Sequence, residues 1–256
     1  MPGHPFSTVI ITKNEAENIR PCLAAIRHVC TDIIVVDAQS TDKTPDICRE
    51  MGARVFEKAW EGYSENKNFG NARARHDWIL SVDADEVLSP ALIETLENWT
   101  PRPKTVYALD RISSFCGQWI RHGAWYPDWK IRLFDRRVVQ WTGDFVHEKP
   151  DYPPDFKVVR LKGKLYHYTC KDPSEFYARL DQYARLAALE MFEKGQKPSF
   201  FKQFFSPGFR FFRDYFLRKG FLDGRAGRDI ARANACVVSR KYARLKELYQ
   251  TKHRGN

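Results

Sequence analysis

The chain has 256 residues, 43% of them hydrophobic and 29% charged, with a formal net charge of +10. That balance excludes a disordered polypeptide and suits one catalytic domain with an appendage. No apolar run approaches the ~18–20 residues that span a bilayer, and the six cysteines, at 22, 30, 48, 116, 170 and 236, form no Cys-x-x-Cys pair, which argues against a zinc module or a disulfide framework.

The opening MPGHPFSTVIITKNE lacks a basic start followed by an apolar stretch, so a reduced, cytoplasmic protein, soluble or peripheral, is expected. Ser7–Thr12 is a short apolar run that predicts a buried strand. Ile19, Leu23, Ile26 and Val29 recur at helical spacing and predict a helix over about Glu15–Val29. Asp32–Asp37 (DIIVVD) is the clearest strand. Thr44-Pro45 has the form of a helix start and Gly52 of the matching stop. Ala53–Glu57 and Trp78–Val82 predict two more strands with a helix between them, and Ser89-Pro90 opens a helix over Ala91–Trp99.

Strands alternating with helices imply an α/β, Rossmann-like sheet with parallel pairing and helices on its faces. Ligands of such sheets sit beyond the carboxyl ends of the strands. Thr12-Lys13-Asn14-Glu15, Asp37 and Asp83-Ala84-Asp85 all fall there, which predicts a nucleotide site. After residue 100 the alternation stops. Thr105–Asp110, Lys130–Phe134, Val138–Trp141 and Val158–Leu161 predict strands that complete a mixed, mostly parallel sheet and form an acceptor cleft. Helices are expected over 174–194, 199–219 and 226–250, with Pro207-Gly208 kinking or breaking the middle one.

Asp83-Ala84-Asp85-Glu86 follows a buried strand, so the carboxylates of Asp83 and Asp85 can face one cation. Mg²⁺ or Mn²⁺ there would neutralise charge on a departing diphosphate. The bland alternative is a solvated acidic turn. Asp37 can accept from a base N–H or a ribose hydroxyl, whereas Asp42 reads as a helix cap. No Gly-x-Gly-x-x-Gly and no Gly-x4-Gly-Lys-Ser/Thr loop is present, so basic side chains such as Arg132 would share the diphosphate with the metal, unless Arg132 only decorates its strand.

The motifs "ITKNEAENI", "IIVVDAQSTDKT" and "WILSVDADE", in this order, resemble the donor half of the family 2 glycosyltransferases of the GT-A fold. The resemblance implies that Asp37 contacts uracil, Asp83 the ribose or diphosphate, and Asp85 the metal. It also implies that Thr12, Lys13, Asn14 and Glu15 line the nucleotide pocket and that Lys67-Asn68, in "SENKNFGNA", borders it. Inverting transfer in this family needs a base, commonly the acid of a Glu-Asp or His-Glu pair. His147-Glu148 makes Glu148 the first choice, with Asp144 and Asp128 as reserves and His147 as orienter or metal neighbour. His167 is a candidate for a phosphate contact or for the metal shell, and a structural histidine otherwise.

Further motifs, "WYPDWKIRLFDRR", "WTGDFVHEKP", "LYHYTCKDPSEF" and "YFLRKGFLDGRAG", resemble bacterial lipopolysaccharide core glucosyltransferases that add β-1,4-linked glucose to an inner-core heptose. The resemblance implies a UDP-glucose donor and a lipid-linked saccharide acceptor. A polyprenyl phosphate or a polypeptide is the alternative acceptor, and a non-catalytic membrane- or nucleic-acid-binding module the alternative of another class.

Residues 195–256 hold 15 Lys/Arg against 4 Asp/Glu and nine of the 18 phenylalanines, so nearly all the net charge lies there. The expected organisation is a catalytic domain over 1–194, with a nucleotide-sugar half (7–100) and an acceptor half (101–194), then a helical extension over 195–256. A basic, aromatic helix over Ser199–Gly220 predicts docking on an anionic membrane, at the inner face of the cytoplasmic membrane, unless the rings pack onto protein. No nucleic-acid partner is expected, because that reading leaves the carboxylate motifs unexplained.

Overall fold

The computed structural model of the chain describes residues 3–143, 148–170 and 172–254. Its strands are β1 (Ser7–Thr12), β2 (Asp32–Asp37), β3 (Arg54–Glu57), β4 (Trp78–Asp83), β5 (Glu86–Leu88), β6 (Thr105–Phe115), β7 (Gln118–Trp119), β8 (Asp128–Asp135), β9 (Gln140–Thr142), β10 (Lys149–Asp151) and β11 (Lys157–Cys170). The helices are α1 (Ile19–Ile26), α2 (Thr44–Glu50), α3 (Tyr63–Ala72), α4 (Pro90–Glu97), α5 (Pro173–Glu193), α6 (Phe200–Phe212) and α7 (Gly224–Arg254). Two compact units result: Met1–Arg111 with Asp128–Tyr168, and Ile112–Pro127 with Thr169–Asn256. The compositional boundary near Gly195 falls inside the second unit.

The main sheet runs β3-β2-β1-β4-β8-β6-β11-β5, with β7 on β6. β1 to β4 pair in parallel, whereas β8 joins β4 antiparallel and begins the mixed half. Helices cover both faces. Ile19, Leu23 and Ile26 of α1 and Leu92 and Leu96 of α4 pack into one core layer with Ile10 and Val35. The other layer joins Val9, Ile34 and Val36 to Phe134, Trp141 and the α3 residue Phe69. Gly70 lets α3 press this closely, because a Cβ there would fall 2.4 Å from Val9 Cγ1. Gly163 is needed twice over: its φ is +103°, and a Cβ would meet the Leu92 backbone nitrogen at 2.4 Å.

Several expectations shift at their edges. The first helix begins at Ile19 rather than Glu15, because Asn14 is left-handed (φ 56°) and the next residues bond to the loop after β2. Thr44 is already helical and the N-cap position of α2 is Lys43; Asp42, one residue earlier, accepts from the Thr44 N–H on its Oδ1 at 2.9 Å. Ser89 caps α4 as expected. Of the kink or break expected at Pro207-Gly208, the break does not occur. Helix α6 continues through Pro207 and widens only at the π turn Arg213–Leu217, where Asp214 turns inward and draws Arg210 and Arg213 onto its carboxylate. β5, β7 and β10 had no signal in the sequence; at two or three residues each they exist through their partners.

In the second unit, Phe115, Ile120 and Trp125 pack with Phe176 and Leu180 of α5 and Ile230 of α7.

At the amino ends of β1 and β2, Asp32 is buried and fully used. It accepts from Ser7 Oγ at 2.6 Å, from the Arg75 N–H at 2.8 Å and from Arg54 Nη1 at 2.7 Å. Burial alone would raise its carboxyl; the Ser7, Arg75 and Arg54 donors outweigh that and hold it below the usual range. Asp32→Asn is expected to lose about 1–3 kcal/mol at neutral pH. Because the folded pKa is depressed, this stability exists above the unfolded value, about pH 4, and fades as pH falls through the lower folded value. Urea titrations of wild type and variant should therefore differ at pH 7 and converge in acid.

Candidate active site

Five carboxylates, Asp83, Asp85, Glu86, Asp128 and Glu148, gather near the carboxyl end of β4, with buried cations among them. Glu86 is completely inaccessible; its Oε1 accepts from Arg132 Nη2 at 2.7 Å and Arg111 Nη1 at 3.2 Å, and its Oε2 from the Asp83 N–H at 2.9 Å. Arg132, on β8, also donates to Asp83 Oδ2. Lys67, on α3 and only 2% exposed, places Nζ 3.4 Å from Asp83 Oδ1, 3.2 Å from Glu148 Oε1 and 4.3 Å from the Trp141 ring centroid. Asp128 is bound by Arg111 at 2.7 Å and Lys130 at 3.1 Å.

Burial disfavours charge on Asp83, but Arg132 and Lys67 beside it hold its carboxyl far below the usual range. The Arg132 guanidinium is held protonated against its own burial by Asp83 and Glu86. Asp128 is likewise depressed, burial opposing and Arg111 and Lys130 prevailing, so it accepts a proton poorly. Burial, then Glu86, Asp85 and Asp83, push the Cys22 thiol well up.

Asp85 differs from these. Among the described residues it has no Lys or Arg partner; His167 Nε2 lies 3.2 Å from its Oδ2. The β11–β5 pairing, which sets His167 opposite Glu86, brings them together. One carboxylate and one imidazole, both partly exposed, fit a divalent cation that takes its other ligands from diphosphate and water. Both Asp83 oxygens already face cations, and among the described residues no group of three or more His, Cys, Asp or Glu has the geometry of a metal cage.

Beside β4 lies the predicted nucleotide end. Thr12 is opposite Asp37, and Ile11 is opposite Asp83. Asp37 is buried, accepting from Ser40 Oγ at 2.6 Å and the Ser40 N–H at 2.8 Å. Ser40 Oγ in turn accepts from the Asn14 N–H at 2.8 Å, and Asn14 Oδ1 from the Thr41 N–H at 2.8 Å. The Glu15 N–H donates to Thr44 Oγ1 at 2.8 Å. Asn14 and Glu15 thus lace the two loops together, while Lys13 is exposed. The buried Thr12 hydroxyl has no hydrogen-bond partner in the structure, an orphaned polar atom at the strand end.

The structure therefore brings Lys67, Asp83, Arg132 and Glu148 together, with Asp85 and His167 adjacent in chain and sheet. Asp144 and His147 lie outside the described residues. Glu86, Arg111 and Trp141 were not singled out from the sequence. Glu86 had the signal of ending the Asp-Ala-Asp-Glu run, whereas Arg111 and Trp141 matter only through partners distant in sequence. Trp60 and Tyr63 form an exposed edge-on pair, 4.7 Å between centroids, on the segment that leaves the end of β3.

Residues 7–164 match the family model described as Glycosyl transferase family 2. An uncharacterised glycosyltransferase of Rickettsia bellii is 29% identical over 95% of this chain and 86% of its own. The lipopolysaccharide core biosynthesis glycosyltransferase LpsC of Rhizobium meliloti is 26% identical over 95% of each chain. Among solved structures, S. aureus TarS superposes with a TM-score of 0.46 at 15% identity, covering 85% of this chain and 45% of TarS.

Arg132→Met is expected to destabilise the protein by about 3–5 kcal/mol, because it breaks buried pairs to both Asp83 and Glu86 and leaves Glu86 with only the longer contact to Arg111 among the described arginines. The double variant Glu86→Met with Arg132→Met should cost clearly less than the sum of the two single changes, as a denaturant-based double-mutant cycle would show.

Proposed function

The chain belongs to glycosyl transferase family 2, a glycosyltransferase by membership, and on that premise we propose that it moves a hexose, glucose from UDP-glucose, onto a heptose of a lipopolysaccharide inner core with inversion. The observation that carries the reading is Glu148 held by the buried Lys67 beside the Asp83 carboxylate, which puts a proton acceptor next to the predicted donor end of the sheet. The likeness to LpsC along nearly the whole chain supports the acceptor class. A lipid-linked acceptor also supports a peripheral position at the inner face of the cytoplasmic membrane.

Asp37 and Thr12 would hold the nucleoside, with Lys13 at the rim and Asn14 and Glu15 keeping the loops in place. Lys67 and Arg132 would face the diphosphate from the protein side. Asp85 and His167 would hold Mg²⁺ or Mn²⁺, with Asp83 as neighbour; when bound, the cation supplies positive charge to the departing diphosphate. The acceptor oxygen attacks the anomeric carbon as the bond from that carbon to the diphosphate oxygen breaks. The electron pair leaves with UDP, and the hydroxyl proton passes to the Glu148 carboxylate. One displacement inverts the anomeric configuration.

Glu148→Gln keeps the shape and loses the proton acceptor. Its turnover should fall by a factor on the order of 10²–10⁴, with UDP binding by calorimetry little changed; unaltered turnover would move the base to another acid. Asp85→Ala should abolish transfer while leaving the thermal melt near wild type, matching the effect of EDTA on the unaltered enzyme. A screen of UDP- and GDP-hexoses by donor hydrolysis tests the sugar. Absence of UDP binding with or without Mn²⁺ would instead favour a non-catalytic module.

A further inference from the structure

Helix α6 buries none of its residues. Phe200, Phe204, Phe205 and Phe209 are 61–76% exposed, and Phe201 and Phe205 stack on each other at 4.3 Å rather than on the body of the unit. The apolar surface does not end with the helix. The π turn presents Phe216 and Leu217, and the following 3₁₀ turn, Gly220–Asp223, presents Phe221 and Leu222, all at least 45% exposed. An area of this size is unusual on a protein that stands alone in water.

Charge says what covers it. Residues 199–225 contain six Lys/Arg and only two acids, Asp214 and Asp223. Both acids are buried and satisfied from within. Asp214 accepts from Arg210 Nε, from Arg213 Nε at 3.1 Å and from Asn234 Nδ2 at 3.2 Å. Asp223 accepts from the backbone N–H of Arg121 at 3.0 Å and of His122 at 2.7 Å, and lies 3.1 Å from His122 Nδ1. The outward surface of the segment therefore carries rings and cations and no anion. Arg210 and Arg213 are hydrogen-bonded to Asp214, whereas Lys202, Arg218, Lys219 and Arg225 are exposed; Arg218 reaches Asp214 only at 3.9 Å with half of its side chain exposed, and Arg225 reaches Asp229 only at 4.0 Å with 87% exposed.

We propose that α6 and the turns that follow it form a docking surface for an anionic lipid bilayer. Phe216, Leu217, Phe221 and Leu222 enter the headgroup layer at its corner, the α6 rings lie along it, and Lys202, Arg218, Lys219 and Arg225 meet lipid phosphates. The inference deepens the reading of a lipid-linked acceptor and rests on it for its purpose. Burial of rings is indifferent to salt while the cations are screened, so part of the binding survives high salt.

The test is flotation of the full chain with vesicles of phosphatidylcholine alone and with added phosphatidylglycerol, at low and high salt. Wild type should float with the anionic vesicles and retain reduced binding at high salt. Replacing Lys202, Arg218, Lys219 and Arg225 together with Gln should lower the partition coefficient at low salt by a factor on the order of 10² or more. Leu217→Ser with Leu222→Ser should weaken binding at every salt level, with an unchanged thermal melt. Hydrogen exchange on wild type needs no variant: amides of 200–222 should gain protection when anionic vesicles are added. No flotation, or protection confined to other segments, overturns the proposal. Dimers in sedimentation with 200–222 protected and no vesicle binding would assign the surface to a second copy of the chain instead. Donor hydrolysis, measured separately, distinguishes failure here from failure of the enzymatic reading.

Discussion

Five carboxylates cannot stay ionised around one strand end unless cations are buried among them, and much of the first unit serves that constraint. Removing charge from water is costly, and one unpaired member would either protonate or unfold its surroundings. Lys67 reaches the cluster because α3 lies against β1 at the depth that Gly70 permits. Arg132 reaches it because β8 pairs antiparallel beside β4, with Leu80 opposite Leu133. Arg111 arrives from β6, with Asp110 and Arg111 opposite Trp129 and Asp128. The switch from parallel to antiparallel pairing is thus also the place where the charges are balanced.

Within that balance the acids differ in freedom. Glu86 and Asp128 are bound to arginine on their working oxygens and act as framework. Glu148 has one lysine, shared with Asp83. Among the described residues, Asp85 pairs with the His167 imidazole and with no lysine or arginine. Exposure rises from Glu86, which is inaccessible, to Asp85, a quarter of whose side chain is exposed.

Local signals predicted what local physics decides. DIIVVD, the Asp42 acceptor before α2, the cap at Ser89, the stop at Gly52 and the strand before Asp83 were legible because short-range sterics and hydrogen bonds fix them. The positions of Asp37 and Asp83 at the carboxyl ends of their strands were legible because the apolar runs that precede them mark the strands. β5 and β10 were not, since three residues become a strand only when a partner comes alongside. At Pro207 the local cost was visible, whereas the π turn that follows holds the buried Asp214, whose partner Asn234 lies twenty residues on. Glu86 was in view at the end of the Asp-Ala-Asp-Glu run but carried no role of its own, because its arginines lie 25 and 46 residues away.

The path of the chain between the two units has a bearing on how the protein can be cut. It passes from one to the other after Arg111, back after Pro127 and over again after Tyr168. Neither unit is a continuous stretch of polypeptide, although composition alone points to a tail that begins near Gly195. A fragment ending at Tyr168 would still carry Phe115, Ile120 and Trp125, now without the α5 and α7 side chains that cover them. The separable pieces of this protein are therefore not found by truncation. The basic, aromatic half has to be made together with the strand ends that hold it: the first 168 residues contain the whole of the first unit but only Ile112–Pro127 of the second.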